Sequence, residues 1–244
     1  MSRLSFENYG HKASLGLDPT YVAGRYMSQK EDERNILPDI VNKLDLHPSD
    51  VCLEIGCGVG NLLIPLSFLV KSITGVDHPN CISGLKARFT GENMRLISKN
   101  FLDCSQDELG CFDKILVYSV LHCLSNRNEV ENFVGKALSL LLPGGKMLLG
   151  DIPNISRKQR FLKSEKGKEF DNIWKEKNRS PSEAMAEAEK YLADDPNLVI
   201  LDDAMVLSLM AFIRGQEYHT YILPQSMNLP FGHTREDILV EKPR

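Results

Sequence analysis

The sequence predicts an α/β fold built on a doubly wound, mostly parallel sheet of seven strands. Three observations predict it: apolar runs recur between residues 50 and 152, helical patterns separate them, and two further strand-like runs close the chain. The apolar runs are continuous rather than alternating, which is typical of strands buried on both faces of a parallel sheet. Strands and helices in this rhythm indicate crossover connections and therefore a doubly wound sheet.

The first five strands and two of their connecting helices can be placed along the chain. We predict strands at residues 50–56, 72–77, 94–98, 112–119 and 145–152. Residues 61–70 repeat leucine at helical spacing between the first two strands. Residues 126–142 predict a second helix, because Asn126 and Glu129 have the spacing of a capping box and "PGG" at 143–145 would end it.

The alternation of strand and helix stops after Ile152. Residues 153–217 contain no convincing strand and carry helix signals instead, including the cap pattern "SPSE" at 180–183. Two strand-like runs, within 217–224 and 237–242, follow and would complete the sheet. The sequence therefore predicts a helical insertion between the fifth and sixth strands, packed over one end of the sheet.

Bulk properties restrict the class of protein and of partner. The net charge of -4 gives no general attraction for nucleic acid. No run of apolar residues is long enough to span a bilayer, and the N-terminus lacks the apolar core of a secretory signal. The six cysteines contain no C-x-x-C pair, so neither a metal site nor a disulfide is predicted. These properties favour a cytoplasmic protein that acts on a small molecule, without long nucleic acid or membrane as partner.

The stretch "LEIGCGVG" at residues 53–60 marks a ligand site at the first strand end. In an open α/β sheet, ligands bind at the carboxyl ends of the strands. A nicotinamide fingerprint would have a third glycine where this chain has Asn61. Glu54 places a carboxylate in an apolar strand, which suits a ligand with a cationic amine better than a pyrophosphate. A structural ion pair is the alternative explanation of Glu54.

The ends of the next two strands carry complementary chemistry. Asp77 ends the second strand, where its carboxylate could accept both hydroxyls of a ribose, although an aspartate there could also cap the next helix. Residues 98–103 provide Asn100 and Phe101, suited to the polar edge and flat face of adenine; Phe101 fits the core equally well. An amine, a ribose and an adenine together describe S-adenosylmethionine.

These segments resemble the class I S-adenosylmethionine-dependent methyltransferases, over roughly residues 31–152 and the final two strands. "LEIGCGVG" resembles the first motif of that family and "GVD" at 75–77 the second. Residues 112–124 and 141–151 are similar to the fourth strand and to the turn into the fifth. Asn100 departs from the pattern, because many members have aspartate at that position. The resemblance implies a Rossmann-like fold.

The resemblance also implies the cofactor, its product S-adenosylhomocysteine, and the residues that contact them. The implied cofactor-binding residues are Glu54, Gly56, Cys57, Gly58, Gly60, Asp77, His78, Asn100, Phe101, Leu102 and Ser119. Asp151, at the end of the fifth strand, is the first candidate for orienting the acceptor or removing its proton, and His122 is the second. A packing role at the start of a helix is the alternative for His122. No metal is implied.

The acceptor is predicted to be a small polar molecule, such as the hydroxyl of a sugar or nucleotide sugar. A basic stretch after Asp151 is either a solvated helix face or a binding site for a phosphorylated acceptor, with Arg157 and Arg160 as the candidate ligands. His233 and Arg235 either reach the acceptor or order their turn. A nicotinamide-dependent oxidoreductase and a non-catalytic, cofactor-binding scaffold protein are the competing functions.

The chain divides into an arm and a domain in this prediction. Residues 31–244 form the methyltransferase domain, with residues 153–217 as its acceptor-side insertion, and residues 1–30 form an N-terminal arm. The arm has little helix signal, and its polar and aromatic side chains are Tyr9, His11, Arg25 and Tyr26. It is either a lid over the cofactor, as in related enzymes, or a loosely packed extension.

Overall fold

The computed structural model describes residues 3–178 and 197–244, and the cap pattern at 180–183 lies outside them. Its sheet has seven strands in the order β3-β2-β1-β4-β5-β7-β6. The strands are β1 (Val51–Ile55), β2 (Ser72–Asp77), β3 (Met94–Ser98), β4 (Phe112–Tyr118), β5 (Leu141–Pro153), β6 (His219–Pro224) and β7 (Arg235–Glu241). Neighbours among β1 to β5 pair in parallel, whereas β7 is antiparallel to both β5 and β6. This topology confirms the predicted doubly wound, mostly parallel sheet.

Helices flank the sheet and precede it. The helices are α1 (Arg3–Ser14), α2 (Pro19–Val22), α3 (Lys30–Glu33), α4 (Ile36–Leu44), α5 (Leu63–Ser67), α6 (Pro79–Arg88), α7 (Gln106–Leu109), α8 (Arg127–Ser139), α9 (Ile155–Lys163), α10 (Glu165–Lys177) and α11 (Asp203–Gly215). Short 3-10 turns lie at Met27–Gln29, Phe101–Asp103 and Leu121–Cys123. Within the described ranges, no helix has both the length and the apolar character needed to cross a membrane.

The sheet is buried on both faces, as its continuous apolar strands predict. Successive residues of a strand point to opposite faces, so Leu53 packs into the core on one side of the sheet and Cys52 into the core on the other. Helices α8 and α11 cover the first side, and helices α4, α5 and α6 cover the second. The two layers fix the strand ends, where the polar residues of interest lie.

The N-terminal arm differs from its prediction, because residues 3–14 form a helix despite their weak helix signal. Helix α1 packs against helix α6, and the ring of Phe6 lies 4.8 Å from that of His78. An added Cβ at Gly10 would come within 2.2 Å of the His78 ring, so glycine permits the close approach. Tertiary packing therefore stabilises a helix whose local propensity is poor.

Two connecting elements also differ from their predicted bounds. Helix α5 is shorter than the predicted 61–70, because the amides of Phe68 and Leu69 bond to carbonyls three residues back and tighten the last turn. Helix α8 ends before the "PGG" segment, which belongs to strand β5 instead. The amide of Phe112 bonds to the carbonyl of Leu140 at 2.9 Å and draws the chain into the sheet directly after the helix.

Candidate active site

A cavity of about 630 Å³ opens at the carboxyl ends of β1, β2 and β4, where the strand order reverses. We call it the first cavity. It brings together six of the residues implied by the resemblance, namely Glu54, Gly56, Cys57, Gly58, Asp77 and Ser119. Because three different strand ends contribute to it, the sheet topology itself assembles these side chains.

The three glycines of the loop after β1 are needed for different structural reasons. Gly56, Gly58 and Gly60 all have positive φ angles, of 80°, 54° and 87°. A Cβ added at Gly56 would come within 2.5 Å of Val120, and one at Gly60 within 2.8 Å of Leu85. A Cβ at Gly58 would meet no protein atom within 4 Å. Gly58 therefore keeps space for a ligand, whereas Gly60 serves packing against α6 and does not line the first cavity.

Asp77 holds the glycine loop and does not cap the following helix. Its Oδ2 accepts a hydrogen bond of 2.6 Å from the Gly58 amide, and its Oδ1 accepts one of 2.6 Å from the His78 amide. The cap of α6 is His78, whose Nδ1 accepts from the Asn80 amide. Burial raises the pKa of Asp77 and these amide bonds oppose the rise. The carboxylate lines the cavity with acceptor capacity left for ligand hydroxyls.

Glu54 places a second buried carboxyl group in the first cavity, beside that of Asp77. Its side chain is 3% exposed, and its Oε2 has no hydrogen-bond partner among the residues described. Burial, and next the charge of Asp77, raise the pKa of Glu54 well above its usual value, while Arg25 opposes them. A buried carboxylate without a partner is costly. A cationic group of a ligand would supply the missing partner.

The N-terminal arm contributes side chains to the same cavity. Tyr9, Val22, Ala23 and Arg25 line it. Arg25 is 5% exposed and its Nη1 donates to Glu33 at 3.2 Å, but its Nε has no partner within the described part of the chain. The Tyr9 hydroxyl bonds to Cys123, and the charge of Cys123, followed by burial and this bond, raises the pKa of Tyr9. Sequence reasoning grouped Tyr9 and Arg25, but it had no signal for Val22 and Ala23.

The residues proposed for adenine lie beside the first cavity in a smaller one of about 250 Å³. Asn100 and Phe101 line it, and so does Phe6 of helix α1. The Asn100 Oδ1 accepts a 3.1 Å bond from the Leu102 amide and so caps a 3-10 turn. Phe101 is buried against Phe133, with ring centroids 5.0 Å apart, which also makes it a core residue.

Besides Gly60, two implied cofactor residues line neither of these cavities. Leu102 packs against the core beside the 3-10 turn. His78 is covered by helix α1, where its Nε2 lies 3.4 Å from Glu7. The resemblance implies both residues by their positions in the sequence, which do not specify the direction of a side chain.

Ser119 and Asp151 form a strained pair at neighbouring strand ends. Both have positive φ angles, 59° and 57°, although neither is glycine. The Ser119 hydroxyl donates to Asp151 Oδ2, and Arg235 Nη1 donates to the same oxygen at 2.9 Å. Strained backbone of this kind clusters at functional sites. The pair places a buried, ion-paired carboxylate beside the first cavity, which Ser119 lines.

His122 lies near this pair but not on the wall of the first cavity. Burial, and next the charge of Arg235, lower the pKa of His122 to about 4, and Asp151 opposes the shift. Its imidazole is therefore neutral at physiological pH and a weak base. Its Nδ1 is buried without a hydrogen-bond partner among residues 3–178 and 197–244.

A buried polar network, which the sequence analysis did not predict, holds the backbone amide of Asp151. Asp237 is fully buried and accepts a 2.8 Å bond from the Asp151 amide. It also pairs with Lys43 at 2.6 Å and accepts from Gln225 at 3.0 Å. The signal available was an aspartate inside the apolar run "DILVEK", comparable to Glu54 in β1. Its network fixes the backbone at Asp151.

A second cavity, of about 990 Å³, is lined by Arg235, which does not line the first. Its wall is rich in aromatic rings: Tyr26, Phe161, Phe170, Trp174, Phe231 and His233. The rings of Phe161 and His233 stack at 4.4 Å and 12°, and those of Tyr26 and Trp174 meet edge to face at 4.9 Å. Sequence reasoning missed this cavity except for Tyr26, His233 and Arg235, because its rings come from distant segments.

The arginines predicted to bind a phosphorylated acceptor do not line the second cavity. Arg160 is paired with Asp203 by bonds of 2.5 and 3.2 Å. Arg157 lies 3.9 Å from Glu236 and donates to the carbonyl of Gly232. Both guanidinium groups are therefore directed towards acidic or carbonyl groups of the protein, which the sequence did not indicate.

Comparison with known proteins identifies the domain. Residues 52–145 match the family described as "Methyltransferase domain". An uncharacterized methyltransferase of Schizosaccharomyces pombe is 30% identical over 125 residues, which cover 48% of this chain and 47% of that protein. The chain thus spans about half the length of this curated relative.

Solved structures share the fold at low sequence identity. The N-methyltransferase NodS from Bradyrhizobium japonicum WM9, in complex with S-adenosyl-L-homocysteine, has a TM-score of 0.58 and 15% identity, covering 99% of this chain and 100% of its own. Haemonchus contortus phosphoethanolamine N-methyltransferase 1, in complex with phosphoethanolamine and S-adenosylhomocysteine, has a TM-score of 0.68 and 15% identity, covering 98% of this chain and 49% of its own. Residues 52–145 thus match a methyltransferase domain, and the chain as a whole shares the fold of these solved methyltransferases.

Proposed function

We propose that the protein transfers a methyl group from S-adenosylmethionine to a small polar acceptor held beside Ser119 and Asp151. The observation that carries this proposal is the buried, unpartnered carboxylate oxygen of Glu54 in a cavity whose glycine loop leaves space at Gly58. Such a carboxylate fits the ammonium group of the cofactor and has no use in a site for a pyrophosphate.

The other groups of the first cavity fit the rest of the cofactor. Arg25, buried and with Nε unpartnered among the described residues, would bind the carboxylate of the amino-acid end. Asp77 would accept the ribose hydroxyls, and Asn100 with Phe101 would contact the adenine. When bound, the cofactor supplies an electrophilic methyl group on a positively charged sulfur.

Asp151 is the residue that we propose for orienting the acceptor and taking its proton. Its carboxylate is held by Ser119 and Arg235, so its position is fixed before the acceptor arrives. His122 remains the second candidate, as a neutral hydrogen-bond acceptor, because burial lowers its pKa to about 4. Positioning is the larger part of such a displacement, and the need for a base depends on the acceptor.

The domain boundaries follow from the same proposal. Residues 1–30 would act as a lid, since Tyr9 and Arg25 line the first cavity. Residues 153–217 would form the acceptor-side insertion, since α9 and α10 line the second cavity. A sugar or nucleotide-sugar hydroxyl as acceptor and a cytoplasmic location stay predictions from the sequence.

Calorimetry and turnover together test the function. The wild type should bind S-adenosylmethionine and S-adenosylhomocysteine but not NAD, and should release S-adenosylhomocysteine with an acceptor from a panel of small molecules. Asp151→Asn should keep its cofactor affinity while turnover falls at least about tenfold. Asp107→Asn, an exposed aspartate distant from both cavities, is the matched control. Binding of NAD, or no binding of either adenosyl ligand, would refute the proposal, and cofactor binding without turnover would favour the scaffold alternative.

A further inference from the structure

We infer that the second cavity is the acceptor subsite and that the acceptor carries a planar aromatic ring and is neutral or anionic, not cationic. This inference rests on the proposed function, which it deepens by naming a substrate class. It replaces the predicted sugar phosphate with a ring-bearing molecule, held in the cavity that Arg235 lines.

The shape and composition of the wall favour a flat apolar ligand. Phe170 and Tyr26 line the cavity and remain 40% and 38% exposed. The parallel stack of Phe161 on His233 and the edge contact of Tyr26 with Trp174 hold ring faces in fixed orientations. Apolar surface gathered in a concave site with a few polar groups is typical of small-molecule binding. A ring inserted there would bury this surface and add aromatic contacts.

The charges of the wall select against a cation. Lys158 and Arg235 line the cavity, and the Arg235 guanidinium already lies 4.1 Å from the centre of the Phe231 ring. The acidic residue of the wall, Asp171, is paired with Lys175 at 2.5 Å. A quaternary ammonium ligand would therefore face like charge.

The ionisation state of His233 also fits a neutral or anionic aromatic ligand. Burial, and next the charge of Arg157, lower the pKa of His233, so its ring is neutral and stacks as an apolar surface. The neutral ring adds no charge to the wall, which leaves Lys158 at the exposed rim as the group that an anionic substituent could pair with.

Arg235 connects this cavity to the proposed reaction centre. Its Nη1 donates to Asp151 while its guanidinium carbon covers Phe231. Pro153 and Asn154, which follow Asp151 in the chain, also line the second cavity. A ring bound there would thus direct one edge towards Asp151, where its hydroxyl or amine could be oriented. An acceptor lying entirely within the first cavity would leave the aromatic wall without a role.

Trp174 makes the inference directly measurable, because it is the single tryptophan of the chain and lines the second cavity. We would titrate the wild type with 1-naphthol and caffeate as ring probes, and with glucose 6-phosphate and choline as contrasts, following tryptophan fluorescence. The ring probes should shift or quench the emission in a saturable manner, with and without S-adenosylhomocysteine present. The two contrast ligands should leave it unchanged.

Variants of the second cavity test whether the fluorescence response comes from ligand bound there. Phe161→Ala should weaken binding of both ring probes about tenfold, and Phe161→Leu less, since the aliphatic side chain keeps volume without the ring. Phe68→Ala is the matched control, because Phe68 is 69% exposed and lies outside the cavity. Lys158→Ala should weaken caffeate binding and spare 1-naphthol. Thermal unfolding confirms that each variant is folded.

The outcomes separate this inference from the proposed function. Saturable quenching by glucose 6-phosphate or choline alone, no response to either ring probe, or equal probe affinity in folded Phe161→Leu and wild type would overturn the aromatic acceptor. Calorimetry with S-adenosylhomocysteine on the same preparations tests the methyltransferase assignment independently. A protein that binds the cofactor product but not the ring probes keeps its proposed function and loses only the substrate class.

Discussion

The first and second cavities are built in opposite ways. The first takes its central residues from strand ends that are neighbours in the sheet, within residues 54–123, and the N-terminal arm adds side chains to it. The second combines three distant segments, at residues 26–29, 153–174 and 230–235. The backbone geometry of a sheet can fix the first in any chain with this topology. The second depends on which loops and helices meet, so it can differ between proteins of one fold.

The two cavities also differ in whether their buried charged groups have hydrogen-bond or ion-pair partners. Glu54 in the first cavity is buried with an unpartnered oxygen among the residues described, whereas Arg235, which lines the second cavity, pairs with Asp151 at 2.9 Å. Burial raises the pKa of Glu54, so its carboxyl group holds a proton in the unliganded protein, and a cationic group of a ligand would favour its charged form. The difference indicates a ligand of fixed chemistry in the first cavity and one recognised mainly by shape in the second.

The largest effect is expected at Gly58, where a larger side chain would fill the first cavity and leave the second unchanged. Gly58→Val puts a branched side chain into the space that the backbone leaves open, at a φ of 54° that valine rarely adopts. We expect cofactor-product affinity to fall at least about a hundredfold, on the order of 3 kcal/mol, measured by calorimetry. Quenching of Trp174 by 1-naphthol should persist.

Gly110→Val separates the ligand effect from backbone strain. Gly110 also has a positive φ, of 83°, and open space around its Cβ, but it lies outside both cavities. This control should lose stability through strain and keep its cofactor affinity. Normal cofactor binding by a folded Gly58→Val protein would contradict the assignment of the first cavity.

The same contrast explains how much the sequence could predict. The sheet, the glycine loop and Asp77 were accessible because strand periodicity and motif spacing are local signals. Gly60 was accessible as a loop glycine but not in its packing role, which depends on Leu85 of a later helix. The aromatic wall could not be predicted, since Tyr26 and Trp174 meet only in the folded chain.

The next largest effect is expected at Asp77. Asp77→Ala removes the proposed acceptor for the ribose hydroxyls and the bond that holds the Gly58 amide at 2.6 Å. A charge-assisted bond contributes about 1.5–3 kcal/mol, so cofactor-product affinity should fall at least about tenfold. Calorimetry measures it, with Asp107→Ala at an exposed position of helix α7, outside both cavities, as control. An unchanged dissociation constant would mean that Asp77 supports the loop without contacting ligand.

Glu54→Gln should have a smaller effect on affinity and a clear effect on pH dependence. The raised pKa of Glu54 means that the folded, unliganded protein retains a proton which the unfolded chain loses above about pH 4.3. This contribution to stability is lost as pH rises through the folded-state pKa. The stability of Glu54→Gln relative to wild type should therefore increase with pH, as measured by urea unfolding.

Ligand binding should reverse that protonation. A bound ammonium favours the carboxylate form of Glu54, so binding of S-adenosylhomocysteine should release a proton. Calorimetry in buffers of different ionisation enthalpy measures the release, which should be smaller in Glu54→Gln. Equal proton release in both proteins would show that Glu54 does not face the ammonium group.

Asp151 shows a second limit of sequence reasoning. The sequence predicts its position at a strand end. It does not predict its ion pair, because the partner Arg235 lies more than eighty residues further along the chain. The pKa of His122, lowered to about 4, likewise depends on burial and on Arg235. Long-range pairing therefore changes the roles that residue types suggest on their own.

The smallest effect is expected at Arg160. It tests whether the acceptor binds to the wall of the second cavity or to the basic face of helix α9. Arg160 is exposed and bonded to Asp203, outside both cavities, so Arg160→Ala should change neither cofactor-product affinity nor caffeate binding by more than about twofold. Lys158→Ala, two residues earlier on the same helix but lining the second cavity, should weaken caffeate binding. Calorimetry and tryptophan fluorescence on the two variants distinguish a cavity wall from a generally basic face. Equal loss in both would show that the charge of the whole helix, as the sequence first indicated, attracts the acceptor.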